Sequence, residues 1–274
     1  MVLVWIFGTF LTGILLVVIA IFSYGSMLTN ASTPWFLIPP IGDTLLWLFF
    51  RIGTQLRKKY PLYAIKKSQE GAALKAMELS KSSPGSGGVC FVGSSTFTYW
   101  RCIAHDFAEL NLPIINAGFG GSCTYDLLTF ADVLCAKYQP RVVVYFCGTN
   151  NIAQGMEPST VLDGFVQFLD ELHKLLPRVH VIFLGITTTP FFRRCNINDC
   201  LSKARIANDM IAAYCHATQN VSFVHTESST CDFVRNSKYF LGDLHHLNDE
   251  GHTLLAQRVL LPAIKEALGM EGGG

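Results

Sequence analysis

Apolar positions follow two regimes along this chain. In the first 42 residues no side chain is charged, and residues 2–22 read VLVWIFGTFLTGILLVVIAIF. About twenty such residues in a helix cross the roughly 30 Å hydrocarbon core of a bilayer. A cleaved signal peptide would carry a basic leader and a shorter apolar core, and a buried core helix of this length would show a polar face. The run therefore predicts a retained N-terminal transmembrane helix. In the second regime, short β-branched runs at 89–92, 114–116, 142–146, 179–186 and 221–224 alternate with helical patterns at 99–110, 125–137, 158–176 and 201–216. A last helical pattern covers 248–268, and an amphipathic one covers 65–79. Continuous apolar strands alternating with amphipathic helices indicate an α/β fold, a parallel sheet covered on both faces. Right-handed crossovers then favour a doubly wound sandwich, with its functional site beyond the carboxyl ends of the strands.

Between the regimes lies a stretch of mixed character. Residues 34–52 (PWFLIPPIGDTLLWLFFRI) are apolar and aromatic but interrupted by Pro39, Pro40, Gly42 and Asp43. This composition suits a segment lying in the membrane interface, with a second, broken crossing as the alternative. Arg51, Arg57, Lys58, Lys59, Lys66 and Lys67 follow, with no acidic residue between Thr44 and Gln69. Basic residues beside a span stay on the cytoplasmic side, so the C-terminal part is expected on the cytosolic or matrix side; a second crossing would invert that. The same cluster would attract anionic head groups, by about 1 kcal/mol per charge, or form an ordinary solvated face. The segment 80–88 (SKSSPGSGG) reads as a flexible joint. The expected organisation is an anchor over 1–24, an interface and linker region over 25–87, and one globular domain over 88–270.

Composition narrows the function. The chain has 274 residues, 50% hydrophobic and 15% charged, with a formal net charge of +1. No global field draws it to nucleic acid. All nine cysteines follow the membrane region, in an odd number and without CxxC or Cys/His zinc spacing. Cys90 and Cys147 fall in apolar runs as small hydrophobes; reduced thiols are expected, with a Cys195–Cys200 bridge the alternative in an oxidising compartment. Asn30 and Asn220 match the glycosylation sequon, a short pattern common by chance.

The unusual residues gather where strands end. The first is followed by Gly93-Ser94-Ser95-Thr96, the second by Asn116-Ala117-Gly118-Phe119-Gly120-Gly121-Ser122, the third by Gly148-Thr149-Asn150-Asn151. Asp243-Leu244-His245-His246 precedes the last helix. A serine before a helix has free N–H groups around it, although such serines are usually caps. Glycines allow close backbone approach or simply a tight turn, and an asparagine amide can donate to an oxyanion or cap a loop. Asp and His three apart can face each other, so the carboxylate can orient the imidazole, although such pairs are more often structural.

Together the blocks FVGSSTFTYW, NAGFGGS, GTNN and DLHHLNDEG, in this order, resemble the SGNH hydrolases, also called GDSL esterases and lipases, closest to a branch with a G-S-S first block. The resemblance spans roughly residues 65–267. It implies a three-layer α/β/α sandwich with a five-stranded parallel, flavodoxin-like sheet, and acyl-ester hydrolysis without metal or cofactor. It also implies Ser95 as nucleophile, His246 as general base, Asp243 as its orienting partner, and an oxyanion hole from Ser95, Gly121 and Asn150. His245 is read as a neighbour facing elsewhere, with exchanged histidine roles as the alternative. Ser94 and Asn151 stand where the family often has aspartate, so a loop contact at Asn151 is expected to be lost. The expected function is a membrane-anchored serine esterase acting on carboxylic esters, lipid or lysophospholipid esters in particular. Phe191, Phe192, Arg193 and Arg194 are candidate walls for an acyl chain and a phosphate. A carbohydrate deacetylase would use the same chemistry. The alternative from another class is a catalytically idle accessory subunit of a membrane complex.

Overall fold

The computed structural model describes residues 61–226 and 229–270. The expected transmembrane run, the 34–52 segment and the anchor lie outside these residues, and among the described residues no helix is long and apolar enough to cross a membrane.

Five parallel strands form the sheet: β1 (Val89–Gly93), β2 (Ile114–Asn116), β3 (Val142–Phe146), β4 (His180–Leu184) and β5 (Val221–Val224), in the order β2-β1-β3-β4-β5. β1 and β3 are central, and every residue of both is buried. Successive side chains on a strand point to opposite faces, and here that alternation builds two cores. Cys90, Val92, Val143, Tyr145, Val181 and Phe183 enter one. Val89, Phe91, Val142, Val144, Phe146, Ile182 and Leu184 enter the other. Two covered faces explain why these strands read as unbroken apolar runs.

The first face is covered by helices α1 (Pro61–Ser82), α4 (Thr124–Thr129), α5 (Ala131–Leu134), α7 (Pro158–Leu175) and α9 (Cys200–His216). α7 starts on Pro158, whose missing N–H costs nothing in a first turn. It buries Val161, Phe165, Phe168, Leu169 and Leu172, the stripe a 3.6-residue period gives. The opposite face carries the short turns α2 (Ser95–Thr98) and α3 (Ile103–Asp106), then α10 (Asp249–Leu255) and α11 (Leu261–Ala267) near the C-terminus. Between β3 and α7 lies α6 (Thr149–Ala153), and after β4 comes α8 (Pro190–Cys195).

Several expected elements are broken in the structure. The pattern at 99–110 is not one helix but α3 and a 3-10 turn, with helical structure already starting at Ser95. Trp100 leaves the helical path to pack on Phe91 and Phe107, and its Nε1–H donates to Asp106 at 2.7 Å. The pattern at 125–137 divides at Phe130, whose ring turns onto Phe119. The last helix keeps its course but passes through a π turn at Ala256–Leu260, ahead of Pro262, which cannot donate to the preceding turn. In the segment 80–88, residues 80–82 end α1 and Gly87 N–H donates to the Tyr138 carbonyl, and directly after it Val89 N–H donates to the Pro113 carbonyl. A Cβ on Gly88 would lie 1.8 Å from the Pro113 carbonyl oxygen, so only glycine fits that crossing. Cys195 and Cys200 are not bridged to each other, and no disulfide joins the eight described cysteines.

Candidate active site

All four blocks meet at the carboxyl edge of the sheet. Gly93 ends β1 against Phe146 of β3, and Ser94 N–H donates to the Phe146 carbonyl at 3.1 Å. That bond turns the chain out of the sheet at the central strand pair. Phe97 and Thr98 then donate to the Ser94 carbonyl, closing the first turn of α2 with Ser95 at its start. Phe97 is fully buried in the second core, which fixes the turn while Ser95 stays half-exposed.

The loop after β2 packs directly on this turn. Asn116 donates through Nδ2 to the Phe97 carbonyl at 2.7 Å and accepts the Gly118 N–H at 3.1 Å. A Cβ on Gly118 would fall 2.5 Å from Cβ of Phe97, so glycine is what lets the two backbones touch. Gly121 ends the loop with φ +78°, in the left-handed region, and is half-exposed.

After β3, Gly148 takes φ +125° and starts α6, which presents Asn150 in its first turn. Asn150 donates one amide hydrogen to the Ser122 carbonyl at 2.9 Å. Its second amide hydrogen has no protein partner among the described residues, and its side chain lines the same cavity as Ser95. The loop contact expected to be lost at Asn151 is present. Asn151 is fully buried, accepts the Thr124 N–H at 3.2 Å and donates to Thr124 Oγ1 at 3.1 Å. The amide serves both Thr124 groups at once, accepting through its oxygen and donating through its nitrogen.

The spacing of Asp243 and His246 works through a tight turn rather than a helix. Asp243 Oδ1 accepts the backbone N–H groups of His245 and His246 at 2.9 and 3.0 Å, and Leu244 adopts φ +57° to close the turn. This self-capping turn is a common use of aspartate. It leaves Oδ2 facing His246 Nδ1 at 2.6 Å. On the other side of the ring, Nε2 lies 2.8 Å from Ser95 Oγ. The turn is held from outside by Leu241 N–H on the His246 carbonyl and by Phe191 N–H on the Leu244 carbonyl. The Tyr99 ring meets that of His246 edge-on, with centroids 4.6 Å apart.

Electrostatics follow from this arrangement. Burial alone would raise the Asp243 pKa, but the hydrogen bonds from the His246 ring and from two backbone N–H groups hold the carboxyl well below its usual range. Asp243 is therefore ionised at neutral pH. With a carboxylate accepting at Nδ1, the neutral His246 ring carries its proton there and offers the Nε2 lone pair to the Ser95 hydroxyl.

The doubled histidine resolves by position. His246 holds both contacts, while His245 lines the cavity beside them, with Nδ1 3.1 Å from Thr189 Oγ1 and its ring packed on Phe192. Burial lowers its pKa to about 4, so it is neutral. Phe191 and Phe192 are buried in the first core rather than open as a wall, because α8 folds them under the site. The residues of that segment that do line the cavity are Thr187 and Thr189.

Sequence reading also passed over His252. It is buried, stacks on Trp100 at 4.8 Å, and lies with Nε2 3.2 Å from the Thr96 carbonyl, directly after Ser95. Its position three before buried Leu255, on the inner stripe of α10, was the available signal. Among the described residues no group of three His, Cys, Asp or Glu side chains is arranged to hold a metal ion.

Comparisons with known proteins agree with the fold. No curated protein matches the chain. Three solved structures share the fold at low identity. A GDSL-like lipase from Bacteroides thetaiotaomicron is 21% identical, with a TM-score of 0.54 over 65% of this chain and 88% of that one. A lipase/acylhydrolase from Enterococcus faecalis is 18% identical, with a TM-score of 0.53 over 66% and 96%. A carbohydrate esterase of family 3 from Talaromyces cellulolyticus is 16% identical, with a TM-score of 0.55 over 68% and 100%. Residues 87–254, more than half of the chain and all four blocks, match the GDSL-like Lipase/Acylhydrolase family. The sheet, the four strand-end blocks and this match together make the chain a member of the GDSL-like lipase and acylhydrolase family, a hydrolase of ester bonds.

Proposed function

We propose that this protein is a membrane-anchored serine esterase in which Ser95, His246 and Asp243 form the catalytic triad. The observation that carries the reading is the continuous chain from Asp243 Oδ2 through both nitrogens of His246 to Ser95 Oγ, at 2.6 and 2.8 Å. A serine hydroxyl at its ordinary acidity is a weak nucleophile, and an adjacent neutral imidazole removes its proton as the bond forms. Ser95 Oγ attacks the ester carbonyl carbon while its proton passes to His246 Nε2. The carbonyl oxygen becomes an oxyanion, met by the N–H groups of Ser95 and Gly121 and by the second amide hydrogen of Asn150. His246 returns the proton to the leaving alkoxide as the carbon–oxygen bond breaks, and an acyl-Ser95 remains. Water, deprotonated by His246, then releases the carboxylic acid and restores the serine. The imidazolium formed in each half-reaction is stabilised by the ionised Asp243.

The anchor reading rests on the uncharged run at 2–22, the 34–52 segment and the basic cluster after it. These favour a catalytic domain on the cytosolic or matrix side and an ester presented at a bilayer, a lipid ester above all. Two measurements on full-length protein test the proposal. It should stay with membranes through a carbonate wash, and Ser95→Ala should lower turnover of a soluble ester by several orders of magnitude. Release by carbonate removes the anchor, and near-normal turnover in Ser95→Ala removes the triad.

A further inference from the structure

The cavity at Ser95 sets a limit on the acyl group. It lies past the ends of β3 and β4, and its polar lining is Ser95 and Asn150 with Ser94, Thr96, Thr149, Thr187, Thr189 and His245. Its apolar lining is Phe146, Leu184, Val234, Phe240, Leu247 and Leu255. Those six are all less than a tenth exposed and belong to the second core, so the wall is close-packed and cannot yield without disturbing it. The internal volume is about 30 Å³. An apolar cavity that admits benzene measures roughly 150 Å³, and about 10–15 Å³ of such space holds one water.

Direction follows from the proposed triad. The tetrahedral carbon on Ser95 carries the oxyanion, the leaving alcohol and the acyl chain. The oxyanion faces Asn150, and the alcohol must reach His246 Nε2 to receive its proton. His246 and Tyr99 do not line the cavity. Tyr99, whose ring meets that of His246, and Leu241, whose N–H donates to the His246 carbonyl, are 45% and 40% exposed. The cavity itself, with its six buried apolar residues, is left for the acyl chain.

We infer that this enzyme is selective for short acyl esters, acetyl and propionyl, carried on a large alcohol that stays outside the cavity against Tyr99 and Leu241. The inference rests on the esterase reading above and narrows its substrate class: the apolar bulk of a lipid ester belongs on the alcohol side, and a long-chain lysophospholipid would not fit its acyl tail.

The test is a chain-length series of p-nitrophenyl esters, acetate through laurate, on detergent-solubilised full-length protein, with fluorophosphonate labelling run in parallel. One misfit methylene in a packed pocket costs about tenfold or more. kcat/KM should therefore fall at least about a hundredfold from acetate to octanoate. Phe240→Ala and Leu255→Ala each open the wall from a different element, and either should raise the octanoate-to-acetate ratio about tenfold or more. Octanoate or laurate turned over as well as acetate by labelled wild-type protein would overturn the selectivity and leave the esterase standing. An unmoved ratio in both folded variants would overturn the assignment of this wall. Absence of both labelling and turnover would sink the esterase reading and the selectivity with it.

Discussion

His252 makes the stability of this domain depend on pH in a way that one substitution can isolate. The ring is 1% exposed and stacked on Trp100. Its Nε2 faces the Thr96 carbonyl, so the neutral ring carries its proton on Nε2, and Nδ1 has no hydrogen-bond partner among the described residues. Protonation would place an unpaired N–H and a charge in the core. Burial is the dominant cause that lowers its pKa, to about 4, against smaller opposing effects of the Thr96 carbonyl, Asp249 and Asp106; His246 lowers it further. The ordinary histidine value is about 6.5. Between these values the unfolded chain binds the proton and the folded chain does not, so stability rises with pH and is lost on acidification through that window. From about pH 7.5 to about pH 4.5 the loss from this one group is roughly 2–3 kcal/mol. His252→Phe keeps the stacking and removes the titration, at the cost of about 1–3 kcal/mol for the orphaned Thr96 carbonyl. Urea unfolding of both proteins at the two pH values supplies the comparison. The variant should be less stable near neutrality, yet lose roughly 2–3 kcal/mol less than wild type on acidification. Equal acid losses in the two proteins would refute the argument, since every other titrating group, His245 and Asp243 included, is common to both.

Three further outcomes follow from the site. Asn150→Ala should lower kcat/KM by about 10²–10³, roughly 3–4 kcal/mol, because it removes a preorganised oxyanion donor; unchanged kcat/KM would remove the amide from the mechanism. His246→Ala should lose about as much turnover as Ser95→Ala, since triad members act as a unit, whereas His245→Ala should stay within about tenfold of wild type. A severe loss only at His245 would move the base by one residue. Asn151→Ala strands the Thr124 N–H in the core and should cost about 1–3 kcal/mol in urea unfolding; a neutral result would show the loop to be held elsewhere.

The chain made some of this legible and hid the rest for physical reasons. β1 and β3 were readable because strands covered on both faces are apolar throughout, and α7 because Val161, Phe165, Phe168 and Leu172 repeat at helical spacing. The breaks at Trp100 and Phe130 were not, because an aromatic residue leaves a helical path for a partner that only the tertiary structure supplies. Local spacing brought Asp243 to His246, but through a turn closed by Leu244 at positive φ rather than through a helix. The contact of His246 with Ser95 spans 151 residues and that of Asn151 with Thr124 spans 27, so neither could be read from local pattern. Phe191 and Phe192 looked like a substrate wall and are core, because nothing in a Phe-Phe pair distinguishes one from the other. The small cavity was beyond reach, since its walls converge from β3, β4, α10 and the segment near Phe240.

The central claim is that Ser95 is a nucleophile activated by His246. The most direct measurement is fluorophosphonate labelling of the native full-length protein, with peptide mapping of the adduct by mass spectrometry. A single adduct is expected on the peptide carrying Ser95, absent from Ser95→Ala and strongly slowed in His246→Ala, where Ser95 remains but has lost the base 2.8 Å from its Oγ. An adduct on another residue, or labelling undiminished in His246→Ala, would contradict it.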